Sequence, residues 1–173
     1  MRDYILEKGK RVDLKRLEAG ILPRKQYEIA HAGTSIACHD IFIEYKGGII
    51  LGRRATPPDK GGFWPIGGRI KRGVKTEESL REKVREEASL RLEDITEIGT
   101  ARTFLQTDPF GHGKGTDTTI IVHYGRGMGE LRLNELNTNY RIITPQEYTK
   151  EFRKGLHSYV RDFMDIAIKK IRK

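Results

Sequence analysis

The order of apolar and polar positions divides the chain into strand-like and helix-like stretches. Ser35 to Tyr45 is a β-rich run, Lys46-Gly47-Gly48 reads as a hairpin turn, and Gly48 to Arg53 as the returning strand. Leu80, Val84 and Ala88 recur at the spacing of one helical face, the stripe of an amphipathic helix packed on a core. Leu90 to Gly99 leads into a strand at Thr100 to Gln106. A further strand is expected at Asp117 to Tyr124, and Gly125 to Glu130 is expected to turn the chain. Ile142 to Thr144 reads as a final short strand, and Pro145 as the start of a helix reaching Lys154. From His157 to Ile171 the apolar positions Val160, Phe163, Met164, Ala167 and Ile171 again repeat at helical spacing. Ahead of all this, Met1 to Gly33 is expected to hold one or two short helices. Pro23 is placed to start one of them, Arg24 to Ala32, and Gly33 to end it. The pattern is that of an α/β chain in one domain at 35–173, preceded by a helical extension at 1–34.

Composition narrows the class. A chain of 173 residues, 36% hydrophobic and 33% charged, suits one domain of ordinary size. A chain of this length buries roughly 70% of its unfolded surface, so its core needs no staples. The one cysteine, Cys38, excludes an intramolecular disulfide, and its apolar surroundings suggest a core filler. No apolar run approaches the roughly 18 residues of a membrane helix. The opening MRDYILEKGK is too polar for a secretory signal, so a cytoplasmic protein is expected. The net charge of +9 is gathered at Lys8 to Arg16, Arg53-Arg54, Arg69 to Lys75 and Lys169 to Lys173, among other places. With no nucleic-acid motif and no basic stripe interleaved with aromatics, this favours an anionic small substrate over a nucleic acid.

Candidate chemistry lies between Gly61 and Leu92. On the helix there, Glu87 falls at the edge of the apolar stripe and Glu86 lies about 100° further round, so the two carboxylates can converge beyond the helix flank. The Gly67-Gly68 turn can bring bare backbone carbonyls to the same place. Hard divalent cations take such oxygens, usually together with substrate phosphate. Lys83 falls between Glu86 and Glu87 in projection, where it could do part of a cation's electrostatic job or simply pair with Glu87 at i,i+4. Arg54, at a strand end, is suited to bidentate phosphate binding. Asp40, which interrupts the first β-rich run, is either a strand-end or turn residue, or a functional acid that orients Arg54 or contacts a ligand. Phe63-Trp64 reads as core rather than a stacking platform. In the loop Asp108 to Gly115, His112 and Lys114 could reach a substrate phosphate or supply a proton relay, but an exposed, idle histidine is the expectation.

The stretch GGFWPIGGRIKRGVKTEESLREKVREEASLRL resembles the Nudix box, with Gly68 as its opening glycine and Glu86-Glu87 as its paired glutamates. LGRRATPP at Leu51 to Pro58, GGR at Gly67 to Arg69 and GTDTT at Gly115 to Thr119 are similar to the GDP-mannose mannosyl hydrolase branch of the Nudix hydrolases. The resemblance covers roughly Ser35 to Pro145 and implies an α/β/α sandwich with a mixed sheet. It also implies hydrolysis of a nucleoside diphosphate linked to another group, with a nucleotide sugar such as GDP-mannose foremost. Gly68, Glu87 and Glu86 would hold Mg²⁺, or Mn²⁺ in its place. Glu86, Arg69 and Arg54 would be catalytic, and Arg54, Arg69, Asp40, Asp117 and Tyr140 would touch substrate. A homodimer is implied. The chain departs from the box at Val74, at Glu82-Lys83 and at Ser89, and it places Leu136 and Asn137 where similar sequences carry a glutamine and a histidine. Asparagine accepts no proton at neutral pH, so the base is expected elsewhere: Glu86 first, then Glu82, Asp117, His112 or Glu135. The alternative is a Nudix-fold binding module without turnover.

Overall fold

The computed structural model describes residues 1–18 and 22–171. In chain order, β1 (Leu6–Glu7) and β2 (Lys10–Arg11) form a small hairpin, a 3₁₀ turn follows at Leu14–Leu17, and α1 (Arg24–Gly33) leads into β3 (Ile36–Tyr45). Then come β4 (Gly48–Arg54), β5 (Phe63–Trp64), β6 (Ile66–Arg69), α2 (Thr76–Ala88), β7 (Arg91–Leu105), β8 (Thr116–Met128), β9 (Asn137–Ile143), α3 (Lys150–Lys154) and α4 (Ser158–Ile171).

β3 organises the sheet. One edge pairs in parallel with β8 from Ile36↔Thr118 to Glu44↔Arg126. The other edge is divided: Cys38 to Ile41 pairs antiparallel with β6, and Ile43 to Tyr45 with β4. A strand with two partners on one edge forces those partners to splay, and a cleft opens where β4 and β6 diverge. β9 covers the far edge of β4, and β7 that of β8, giving a mixed sheet of seven strands. Because side chains alternate across a strand, Phe42 joins Leu51, Val122, Val160 and Met164 on one face. Ile41 and Ile43 join Ile50, Leu80, Val84 and Ala88 on the other. The sheet is thus packed between α4 and α2, an α/β/α sandwich with two cores sharing one set of strands.

The N-terminal segment is docked on this body. α2 has no side-chain cap from its own preceding residue, Lys75. The Asp3 carboxylate takes that role, accepting from Thr76 N at 3.1 Å and Thr76 Oγ1 at 2.8 Å. Arg72 Nε donates to the Leu17 carbonyl.

Several elements differ from the sequence pattern. β7 begins at Arg91, well before Thr100, because β8 pairs with it along its whole length; irregularities at Glu93/Thr96 and Glu97/Gly99 break the apolar alternation that would have signalled a strand. β8 runs on through Gly125 to Met128 instead of turning. Gly127 is there for close approach: a Cβ on it would meet Ile43 Cγ2 at 2.8 Å and Leu90 Cδ1 at 2.9 Å. β9 starts at Asn137, earlier than Ile142, templated by β4. Pro145 does not start a helix; α3 begins only at Lys150, with the Thr149 hydroxyl accepting from Phe152 N.

Candidate functional site

β3, β4, β6 and α2 each bring one charged side chain to the cleft: Asp40, Arg54, Arg69 and Glu87. Asp40 lies mid-strand and is 5% exposed, so it is neither a turn nor a strand-end residue. Tyr159 OH donates to Asp40 Oδ2 at 2.7 Å. Burial pushes the Asp40 carboxyl up to about 6, against the pull of the Tyr159 hydroxyl and the Arg54 guanidinium. Gly67 must be glycine here, because a Cβ would stand 2.1 Å from Asp40 Oδ1. Arg54 is drawn out of water and stacks over Trp64 at 5.8 Å; its Nε is buried and makes no protein hydrogen bond. Burial lowers its pKa, with Asp40 the first of the acids opposing the shift. Trp64 is core on one face, beside Tyr159 at 5.3 Å. Arg69, exposed, lies under the Tyr27 ring at 4.2 Å.

The box helix does not deliver its two glutamates together. Glu87 is buried and lines the cleft. Its carboxyl is raised by burial and opposed by Lys83 and Arg54. Glu86 is exposed and turned to Lys71, whose Nζ binds Glu86 at 2.8 Å and Glu82 at 2.7 Å. That hydrogen bond holds the Glu86 pKa below its ordinary value. Lys83 Nζ lies 3.4 Å from Glu87 Oε1 and 3.7 Å from the position a Cβ on Gly68 would take. An ammonium therefore lies close to both groups expected to grip a cation. Among the described residues no group of three or more His, Cys, Asp or Glu side chains is arranged to hold a metal. Of the oxygens expected to hold a divalent ion, the Glu87 carboxylate is paired to Lys83 and the Glu86 carboxylate to Lys71.

Other expected residues lie apart from the cleft lining. Asp117 is paired with Arg102 through Nε at 3.0 Å and Nη2 at 2.8 Å. Tyr140, 41% exposed, sits on β9 opposite Gly52. Asn137 does reach the cleft, but its amide packs on Gly52, where a Cβ would be 2.3 Å from Asn137 Oδ1. Leu136 also lines the cleft, and Glu135 is exposed on the loop before it.

The cleft wall contains groups that sequence reasoning missed. Tyr27 and His31 lie one turn apart on α1. His31 Nδ1 is 2.8 Å from His112 Nε2, and Phe110 is edge-on to both Tyr27 and His31. His112, expected to be idle and exposed, has a side chain only 7% exposed. It is seated by the Asp108 carboxylate, which accepts from the backbone N–H groups of Phe110, Gly111, His112 and Gly113. Burial lowers the His31 pKa, and His112 lowers it further. The i,i+4 spacing of Tyr27 and His31 was the available signal; the partner loop 81 residues away was not.

No family model matches the chain. It is 25% identical over 147 residues to the low-salt glycan biosynthesis protein Agl8 of Haloferax volcanii, covering 83% of this chain and 89% of that protein. Among solved structures it is similar to a MutT NUDIX hydrolase from Burkholderia pseudomallei, with a TM-score of 0.62, 18% identity, and coverage of 76% of this chain and 97% of that one. A bifunctional NMN adenylyltransferase/ADP ribose pyrophosphatase from Francisella tularensis, solved with AMP and a manganese ion, matches at a TM-score of 0.58 and 12% identity, over 85% of this chain and 45% of that one. These likenesses fix the architecture as the Nudix fold. No helix among the described residues is long and apolar enough to cross a membrane.

Proposed function

We propose that this Nudix-fold protein binds and hydrolyses a nucleoside diphosphate joined to a second group, with a nucleotide sugar of the GDP-mannose type as the foremost substrate. The observation that carries this reading is the convergence of Arg54 and Arg69 from two strands on one cleft, a pair of guanidiniums matched to a diphosphate. The similarity to a glycan biosynthesis protein supports a sugar as the second group.

In this reading water adds to the sugar's anomeric carbon, the bond from that carbon to the phosphate oxygen breaks, and the diphosphate leaves with the electron pair. Arg54 and Arg69 stabilise the charge that develops on it. The proton passes to a cleft carboxylate. Asp40, lifted to about 6, is better matched to that task near neutral pH than Glu86, which is turned away to Lys71. Tyr27 and His31 form the wall nearest Arg69 and shape the space beside the diphosphate.

Proton NMR of the purified protein with GDP-mannose, ADP-ribose and a small nucleotide-sugar panel, in Mg²⁺ and in EDTA, tests it. Free sugar plus nucleoside diphosphate is the expected result. Sugar phosphate plus monophosphate would mean attack on phosphorus. A second reading, a binding module without turnover, is favoured by the capture of Glu82 and Glu86 by Lys71 and by an asparagine, Asn137, that accepts no proton at the cleft. Line broadening of one nucleotide with no products would establish it.

A further inference from the structure

We infer that Lys83 is a built-in cation, so that the cleft takes a nucleoside diphosphate without any divalent metal. The inference rests on the nucleotide-binding reading of the cleft and goes beyond it in assigning how the diphosphate charge is met.

Three observations carry it. First, the place is filled: Lys83 Nζ lies 3.4 Å from the carboxylate of Glu87 and 3.7 Å from where a Cβ on Gly68 would stand. The ammonium side chain is 22% exposed and the carboxylate 8%, so the pair is shielded from bulk water and from salt rather than solvated apart. Second, the other oxygens a metal would need are engaged, since Lys71 holds both Glu82 and Glu86 through hydrogen bonds shorter than 3 Å. Third, the charge balances. Arg54 and Arg69 line the cleft with Asp40 and Glu87, and Lys83 backs Glu87, so that the five together carry an excess of cation that suits an anionic guest. A carboxylate in place of Lys83 would reverse that excess by two charges, which is the charge of one divalent ion. The lysine and a metal are thus electrostatic equivalents at this spot, and the chain already holds the lysine. An arginine pair on the cleft floor with an ammonium behind Glu87 is a three-cation cradle for two phosphoryl groups.

The test is isothermal titration of the full chain with GDP, in EDTA and in Mg²⁺. The wild-type protein is expected to bind equally in both within about twofold, Lys83→Gln to bind about tenfold more weakly in EDTA, and Lys83→Glu to lose binding in EDTA and regain it with Mg²⁺. Thermal melts of both variants establish that they are folded; a folded Lys83→Gln that binds like the wild type in EDTA would overturn the role of Lys83, and the wild-type comparison by itself decides whether a metal is needed. Wild-type binding that appears only with Mg²⁺ would overturn the inference while leaving the proposed function standing. No binding in either buffer would overturn both.

Discussion

Burial lifts the Asp40 carboxyl to about 6, from 3.8 when free in solution, so the folded chain holds a proton there more tightly than the unfolded chain does. The sign follows: the Asp40 contribution to stability is fully present below about pH 4 and is lost as pH rises through about 6, a swing of about 3 kcal/mol for a shift of this size. Urea midpoints at intervals across this window should fall for the wild-type protein relative to Asp40→Asn, whose difference curve lacks that slope. If Asp40 is the proton acceptor, the same substitution lowers turnover by about 10²–10⁴-fold at neutral pH. Tyr159→Phe removes the hydroxyl that donates to Asp40 and should cost about 1–3 kcal/mol in urea unfolding near pH 8, where the carboxylate is charged. Arg69 is exposed, so Arg69→Ala should leave the melting temperature nearly unchanged while lowering kcat/KM by about 10²-fold or more.

At the scale of elements, α2 ends at Ala88 and the chain leaves through Ser89 in the left-handed region, at φ 57°. The position calls for glycine. Ser89→Gly should raise stability by about 0.5–1 kcal/mol in the same assay and leave GDP binding as it is. α2 itself was legible in the sequence because its stripe of Leu80, Val84 and Ala88 is local: the period of one helix reports its own buried face. What that period could not report is where the flanking charges turn. Glu86 was placed beside Glu87 by projection, but Lys71, fifteen residues upstream, claims it. β7 was half missed for the complementary reason. It pairs with a neighbour on one side, so few of its residues are buried and its pattern carries little apolar signal. The Asp40–Tyr159 contact spans 119 residues and the His31–His112 contact 81, separations at which no periodicity speaks.

At the scale of the molecule, the net charge of +9 is spread over a body whose cleft presents the guanidiniums of Arg54 and Arg69. Association with an anionic nucleotide should slow with ionic strength, as stopped-flow binding at rising salt would record. The cleft has a floor and a rim of different origin. Its floor, Asp40, Arg54, Arg69 and Glu87, is bolted to the central sheet and α2. Its rim, Tyr27 and His31 of α1 together with the loop at 108–115, lies outside the sheet and is stitched by the His31–His112 contact and the Phe110 ring. In the proposed reading, specificity and phosphate capture fall to different parts of the polypeptide, which meet where Tyr27 lies on Arg69. A lineage could change the guest it admits by editing rim residues other than Tyr27, whose ring lies on Arg69, so near relatives of this chain should agree in what they do to a diphosphate and disagree over what is attached to it.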